Sequence, residues 1–157
     1  MAGPRRHRRG ARVRETTARR YATSSHSSEG PGVLIDSDVV IEILRGQRQP
    51  ARALAALEGS GARTYCCAVT WAEIFAGSRP GEETLTEAFF EARGEVILDA
   101  LVGRRAGGYL ARYAASHGLE IADALIAAAA ATAGLRLWTL NRRDYPMPDL
   151  AFYEPGG

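Results

Sequence analysis

A chain of 157 residues, 46% of them hydrophobic, is long enough for one domain with one core and short for two. Its net charge of +2 hides an asymmetry: residues 1–30 hold eight Arg against two Glu, for +6, and the remainder holds twelve Arg against sixteen acids, for −4. The absence of lysine excludes every mechanism that needs a catalytic lysine, and the longest apolar stretch, residues 121–135, is interrupted by Asp123 and Thr132 and too short to span a bilayer, so no transmembrane helix is expected.

Residues 1–31 are Arg-rich, then Ser/Thr-rich, and run into Gly30-Pro31-Gly32 without hydrophobic periodicity. Such a segment buries too little apolar surface to offset its ordering entropy, and it lacks the apolar region of a secretory signal. A disordered basic extension is expected there, with a charge that could also meet nucleic acid. The folded domain is expected over residues 32–157. Val33-Leu34-Ile35-Asp36 reads as a short buried strand ending in an acid, and residues 38–47 as a helix with Val39, Ile43 and Leu44 on one face. Pro50 suits a first helical position, opening a second helix that Gly59 and Gly61 stop. Residues 64–69 form the next strand-like run. Thr70-Trp71-Ala72-Glu73 has the form of a capping box, placing a helix start there.

Pro80-Gly81 breaks the chain before a helix over residues 82–93, a strand over 95–98 and a long helix over 101–117 ending at Gly118. An Ala-rich helix over 122–133 stops at Gly134; residues 136–140 form a fourth strand, and 150–153 a fifth at the edge. Strands alternating with helices predict an α/β fold with a mainly parallel sheet of four to five strands. Cys66 and Cys67 are adjacent on a strand, point to opposite faces and are poorly placed to bridge; they read as small buried hydrophobes, with no sign of an oxidising compartment.

The chemistry lies in the acids. In open parallel sheets, ligands bind at the carboxyl ends of the strands, and there the sequence places Asp36, Glu73 four residues past Val69, Asp123 at the start of the Ala-rich helix, and Asn141-Arg142-Arg143-Asp144 after the fourth strand. Each has an ordinary explanation: Asp36 as a helix cap, Glu73 as the partner in its capping box, Asp123 as a favourable charge at a helix N-terminus. Together they are harder to dismiss, because Asp36, Glu73 and Asp123 sit in strongly apolar sequence, where acids need a partner or a cation. Oxygen ligands suit Mg²⁺ or Mn²⁺. Zinc is not expected: His7 and His26 lie in the tail, His117 stands alone, and the two cysteines lack partners.

The order and spacing of Val33-Leu34-Ile35-Asp36-Ser37, Trp71-Ala72-Glu73-Ile74, Ile121-Ala122-Asp123-Ala124-Leu125-Ile126-Ala127-Ala128, Leu140-Asn141-Arg142-Arg143-Asp144-Tyr145 and Ala151-Phe152-Tyr153-Glu154-Pro155 resemble the PIN-domain family, and within it the VapC-type toxin ribonucleases of bacterial toxin–antitoxin pairs. The resemblance implies a three-layer α/β/α fold and a cytoplasmic, Mg²⁺- or Mn²⁺-dependent ribonuclease. It implies RNA as substrate, a small cognate antitoxin as partner, a homodimer and no membrane association. It maps the family's first three acids onto Asp36, Glu73 and Asp123. The fourth position falls on Asn141 or on Asp144, the nearest acid. Asp36 and Asp123 would be direct ligands, Glu73 a ligand or the group that orients the attacking water; Ser37 and Thr139 could add a hydroxyl. Arg104, Arg105, Arg112, Arg142 and Arg143 are possible phosphate contacts. Trp71, Ile74 and Phe75 surround Glu73 and offer either core packing or an apolar anchor at the cleft mouth.

Two rivals remain. Leu34-Ile35-Asp36-Ser37-Asp38-Val39-Val40 also fits the opening motif of haloacid-dehalogenase-type phosphatases, which normally add a lysine, occasionally an arginine, and a later acidic pair; this chain has no lysine and no clear acidic pair. Asn141 is compatible with a degenerate, non-catalytic RNA- or antitoxin-binding module. Because the tail carries no core-forming pattern, deletion of residues 1–31 is expected to leave the melting temperature within about 2 °C of the parent, a shift below roughly 1 kcal/mol. Loss of cooperative thermal unfolding in the truncated chain would contradict this.

Overall fold

The computed structural model describes residues 30–156, so the expected basic extension lies outside the described residues apart from its last two positions. The elements run β1 (Val33–Ile35), α1 (Ser37–Leu44), α2 (Arg48–Gly59), β2 (Thr64–Cys67), α3 (Ala68–Gly77), α4 (Glu83–Glu91), β3 (Gly94–Val96), α5 (Ala100–His117), α6 (Ile121–Ala133) and β4 (Arg136–Trp138), followed by a 3-10 turn at Arg142–Asp144. The strands form one sheet in the order β3-β2-β1-β4, and every pairing is parallel. Starting from β1 the chain steps outward through β2 to β3, then returns to the far side of β1. Right-handed crossovers therefore place helices on opposite faces for the two directions of travel. Strand side chains sort accordingly. Val33, Ile35, Cys66 and Trp138 pack with α1 to α4, whereas Leu34, Cys67, Val96 and Leu137 pack with α5 and α6. This is the parallel α/β sheet that the alternating pattern predicts, in the three-layer α/β/α form that the resemblance implies.

Three local expectations change. The capping box at Thr70 is not used. β2 ends at Cys67 and turns directly into α3 with Cys67 as N-cap, so Thr70 lies inside the helix, fully buried, its hydroxyl 3.8 Å from Cys67 Sγ. Strand length is set by parallel partners only three residues long, which overrides the β-branched character of Val69 and Thr70. Pro50 stands third in α2 rather than first, a position where a missing N–H is still harmless because the first turn lacks intrahelical acceptors. The fifth strand contracts to one parallel bridge, Leu137 to Phe152, with Leu137 N–H donating to Ala151 O and Tyr153 N–H to Leu137 O, both at 2.8 Å.

Helix α6 explains the closeness of the layers. Ile126 to Ala130 are all buried, so the helix is covered around most of its circumference, by the sheet on one side and α5 on another. Alanine side chains let both neighbours approach. Gly134 ends the helix in the left-handed region at φ 66°, where a side chain would be strained, and Leu135 N–H caps Ala130 O at 2.9 Å. Ala128→Leu is expected to destabilise the fold by about 1–3 kcal/mol through overpacking; an unchanged urea midpoint would contradict the close packing.

Candidate active site

The order reversal at β1 opens a crevice at the carboxyl edge of the sheet, between the chains leaving β1 and β4. Asp36 follows β1 directly, its N–H donating to Trp138 O at 2.9 Å, and Ser37 and Asp38 open α1. Glu73 comes from α3, Asp123 from the first turn of α6, and Asn141 and Asp144 from the segment after β4. Asp36, Ser37, Asp38, Ile41, Glu73, Asp123, Asn141 and Asp144 together line one cleft of about 330 Å³. All five residues singled out in the sequence are thus brought together, with Asp38 as a fifth carboxylate.

Internal bonds hold most of these groups. Asp36, 6% exposed, accepts the Ser37 N–H on Oδ1 at 2.7 Å and the Tyr145 hydroxyl on Oδ2 at 2.6 Å. Its capping role and its place in the cleft therefore coexist. Glu73 accepts from the Ser37 hydroxyl. Asp38 bridges β4 to α1, accepting from Thr139 Oγ1 at 3.1 Å, Leu140 N at 2.9 Å and Val39 N at 2.6 Å. Asn141 donates its side-chain amide to Asp144. The hydroxyls of Ser37 and Thr139 act as donors to acids. From sequence, Asp38 enters only through the rival phosphatase motif, and Tyr145 is not singled out as a site residue. Asp38 gave a signal, an acid two residues after Asp36 at a helix start; Tyr145 gave none, because only the fold shows where its hydroxyl reaches.

Other expectations separate from the cleft. Ile74 is core, and Trp71 stacks on Phe75 and Phe90 with centroids at 5.4 and 4.1 Å; Ile41 supplies the apolar lining instead. Among the described residues, no arginine lines the cleft. Arg105 bonds Thr132 and Asp149, Arg142 pairs with Glu154 and lies over the Phe152 ring, and Arg104, Arg112 and Arg143 are exposed. In the phosphatase reading Asp38 would be the acid/base that exchanges a proton with substrate; here it accepts three bonds from the protein, from Val39 N, Thr139 Oγ1 and Leu140 N.

Electrostatics in the cleft is unfavourable to charge. Burial, partly offset by the donors from Tyr145, Thr139 and Ser37, raises the Asp36 carboxyl above its ordinary value. Burial and then the neighbouring Asp36 push Asp38 up to about 6. Asp123 is also pushed up to about 6, by burial and then by Asp36, Asp144, Glu73 and Glu120. Burial and Asp36 together drive the Tyr145 phenol far above its ordinary range, so it remains a donor. The chemistry of this donor set, carboxylate and amide oxygens with uncompensated negative charge, fits a hard divalent cation. Among the described residues, no three His, Cys, Asp or Glu side chains already form a ligand cage.

An acid whose pKa is raised on folding binds its proton more tightly in the folded state, so its contribution to stability falls as pH rises from the unfolded value near 4 through the folded value near 6. Metal-free protein is therefore expected to melt higher at pH 5 than at pH 7.5 from these groups. Asp123→Asn should raise the melting temperature by roughly 3 °C at pH 7.5, with a smaller gain at pH 5. Equal shifts at both pH values, read by differential scanning calorimetry, would contradict the charge-repulsion account.

The PIN domain family matches residues 33–152. Among curated relatives, Ribonuclease VapC19 of Mycobacterium tuberculosis is 36% identical over 119 residues, spanning 74% of this chain and 95% of the relative. Among solved structures, a DNA-bound VapBC from Salmonella typhimurium superposes with a TM-score of 0.67 at 20% identity, covering 79% of this chain and 98% of that one. A toxin–antitoxin complex from Klebsiella pneumoniae gives a TM-score of 0.63 at 23% identity, covering 78% and 99%. These two share the fold, and no helix among the described residues is long and apolar enough to cross a membrane. Matched by the family model over residues 33–152 and 36% identical to Ribonuclease VapC19, the chain belongs to the PIN-domain family.

Proposed function

We propose that the protein is a Mg²⁺- or Mn²⁺-dependent endoribonuclease, the toxin of a toxin–antitoxin pair, hydrolysing RNA phosphodiester bonds at the acid cleft. The observation that carries the reading is the convergence of Asp36, Asp38, Glu73, Asp123 and Asp144 on one cleft that no arginine among the described residues lines, in a chain 36% identical to a ribonuclease. Asp36 and Asp123 would hold the cation. Asp144, which accepts from the Asn141 amide and lines the cleft, would supply a carboxylate at the fourth position, which supports a catalytic site over a degenerate one. A bound divalent cation supplies charge neutralisation at the phosphodiester and a more acidic water.

The chain's own groups do the rest. Glu73 is exposed and steadied by Ser37, so it can orient the attacking water and accept its proton. Asp38 ties Thr139 and Leu140 to α1 and keeps the Asn141–Asp144 segment over the cleft. Hydrolysis forms a bond from the water oxygen to phosphorus and breaks the bond from phosphorus to a sugar oxygen. An acidic cleft repels RNA without the cation, so activity should depend on it completely. A small antitoxin would block the same cleft, an Arg of the antitoxin pairing with the carboxylates, and the active form would be a homodimer in the cytoplasm.

Asp36→Ala and Asp123→Ala are each expected to reduce RNA cleavage to the level of the EDTA-treated parent and to relieve growth arrest in a bacterial host. Far-UV circular dichroism should stay unchanged. Replenishing Mg²⁺ or Mn²⁺ should restore the parent alone. Full nuclease activity in purified Asp36→Ala would sink the site assignment.

A further inference from the structure

The segment that leaves β4 turns back toward β1 and buries Tyr145, which is 4% exposed. Its ring meets Phe152 edge-on, centroids 6.5 Å apart, and its hydroxyl donates to Asp36 Oδ2 at 2.6 Å. The other oxygen of Asp36 accepts the Ser37 N–H. A carboxylate oxygen offers two acceptor positions, so neither bond closes its oxygen to a further ligand. The type of donor matters. A Lys or Arg here would cancel the charge of Asp36 and repel a cation, whereas a phenol fixes the direction of the carboxylate and leaves its charge in place. Packing alone does not account for the hydroxyl, because phenylalanine would fill the same space against Phe152. The segment that carries Tyr145 also carries Asn141 and Asp144, so one bond joins the fourth corner of the cleft to the end of β1.

We propose that Tyr145 is a positioning residue, whose hydroxyl holds the Asp36 carboxylate in its cation-binding orientation. The inference rests on the reading of the cleft as a cation site. Outer partners of metal ligands typically govern affinity by about 10- to 100-fold.

The test is calorimetric titration of Mn²⁺ into the metal-free full chain, for the parent, Tyr145→Phe, Asp36→Asn and the double variant. Tyr145→Phe is expected to weaken the Kd about tenfold and to lower RNA cleavage at limiting Mn²⁺, with kcat returning toward the parent value at saturating Mn²⁺. If Tyr145 acts through Asp36, the double variant binds no more weakly than Asp36→Asn alone. This comparison holds even if Tyr145→Phe also melts lower, since a packing defect would weaken Asp36→Asn further. Parent-like affinity in Tyr145→Phe, or losses that add in the double variant, overturns the role of Tyr145. Parent-like affinity in Asp36→Asn instead overturns the cation-site reading itself.

Discussion

Carboxylates repel one another, and the repulsion grows as water is withdrawn. Five of them line the cleft at the carboxyl edge of this sheet, and the most buried, Asp36, raises the pKa of two of its neighbours. Much of the local structure answers that constraint with neutral donors: the Ser37 and Tyr145 hydroxyls, the Thr139 hydroxyl, the Leu140 and Val39 amides and the Asn141 side chain each donate to an acid. Neutral donors stabilise the anions without removing the negative potential. The cleft therefore stays electrostatically incomplete, and a cation is the natural complement.

The fold brings the acids together by topology. The reversal of direction at β1 leaves its carboxyl end flanked by chains that diverge to opposite faces, α1 on one and the path from α6 through β4 on the other. Four separate stretches of sequence thereby deliver one acid or more to a common edge. The alanine-lined α6 lets this happen at close range, since Asp123 rides on a helix that lies against both the sheet and α5.

Much of this was legible in the sequence, for identifiable reasons. Val33 to Asp36 reads as a strand ending in an acid because burial on both faces of a parallel sheet leaves an unbroken apolar run. Asp123 stands out for the same reason on an apolar helix. Gly118 and Gly134 mark helix ends because both occupy the left-handed region. What stayed hidden depends on distant contacts. Thr70 matches a capping pattern that the short neighbours of β2 override, and Leu150 to Tyr153 has strand composition but only one residue's worth of partner. Trp71 stands two residues before Glu73 in sequence yet stacks on Phe90 of α4. The hydroxyl of Tyr145 meets a residue 109 positions away, which no local pattern encodes.

Cys66 and Cys67 occupy consecutive positions of β2, both buried, one in each hydrophobic layer. Burial raises both thiols, Cys66 to about 12, so neither is a ready nucleophile while the fold is intact. Each layer thus carries one natural chemical reporter at the centre of the molecule, silent until that layer parts from the sheet. Pulsed alkylation followed by mass measurement would count the layers as they open. Simultaneous modification of both sulfurs would mark a fold whose two halves separate as one unit, and staggered modification would show which side of the sheet yields first.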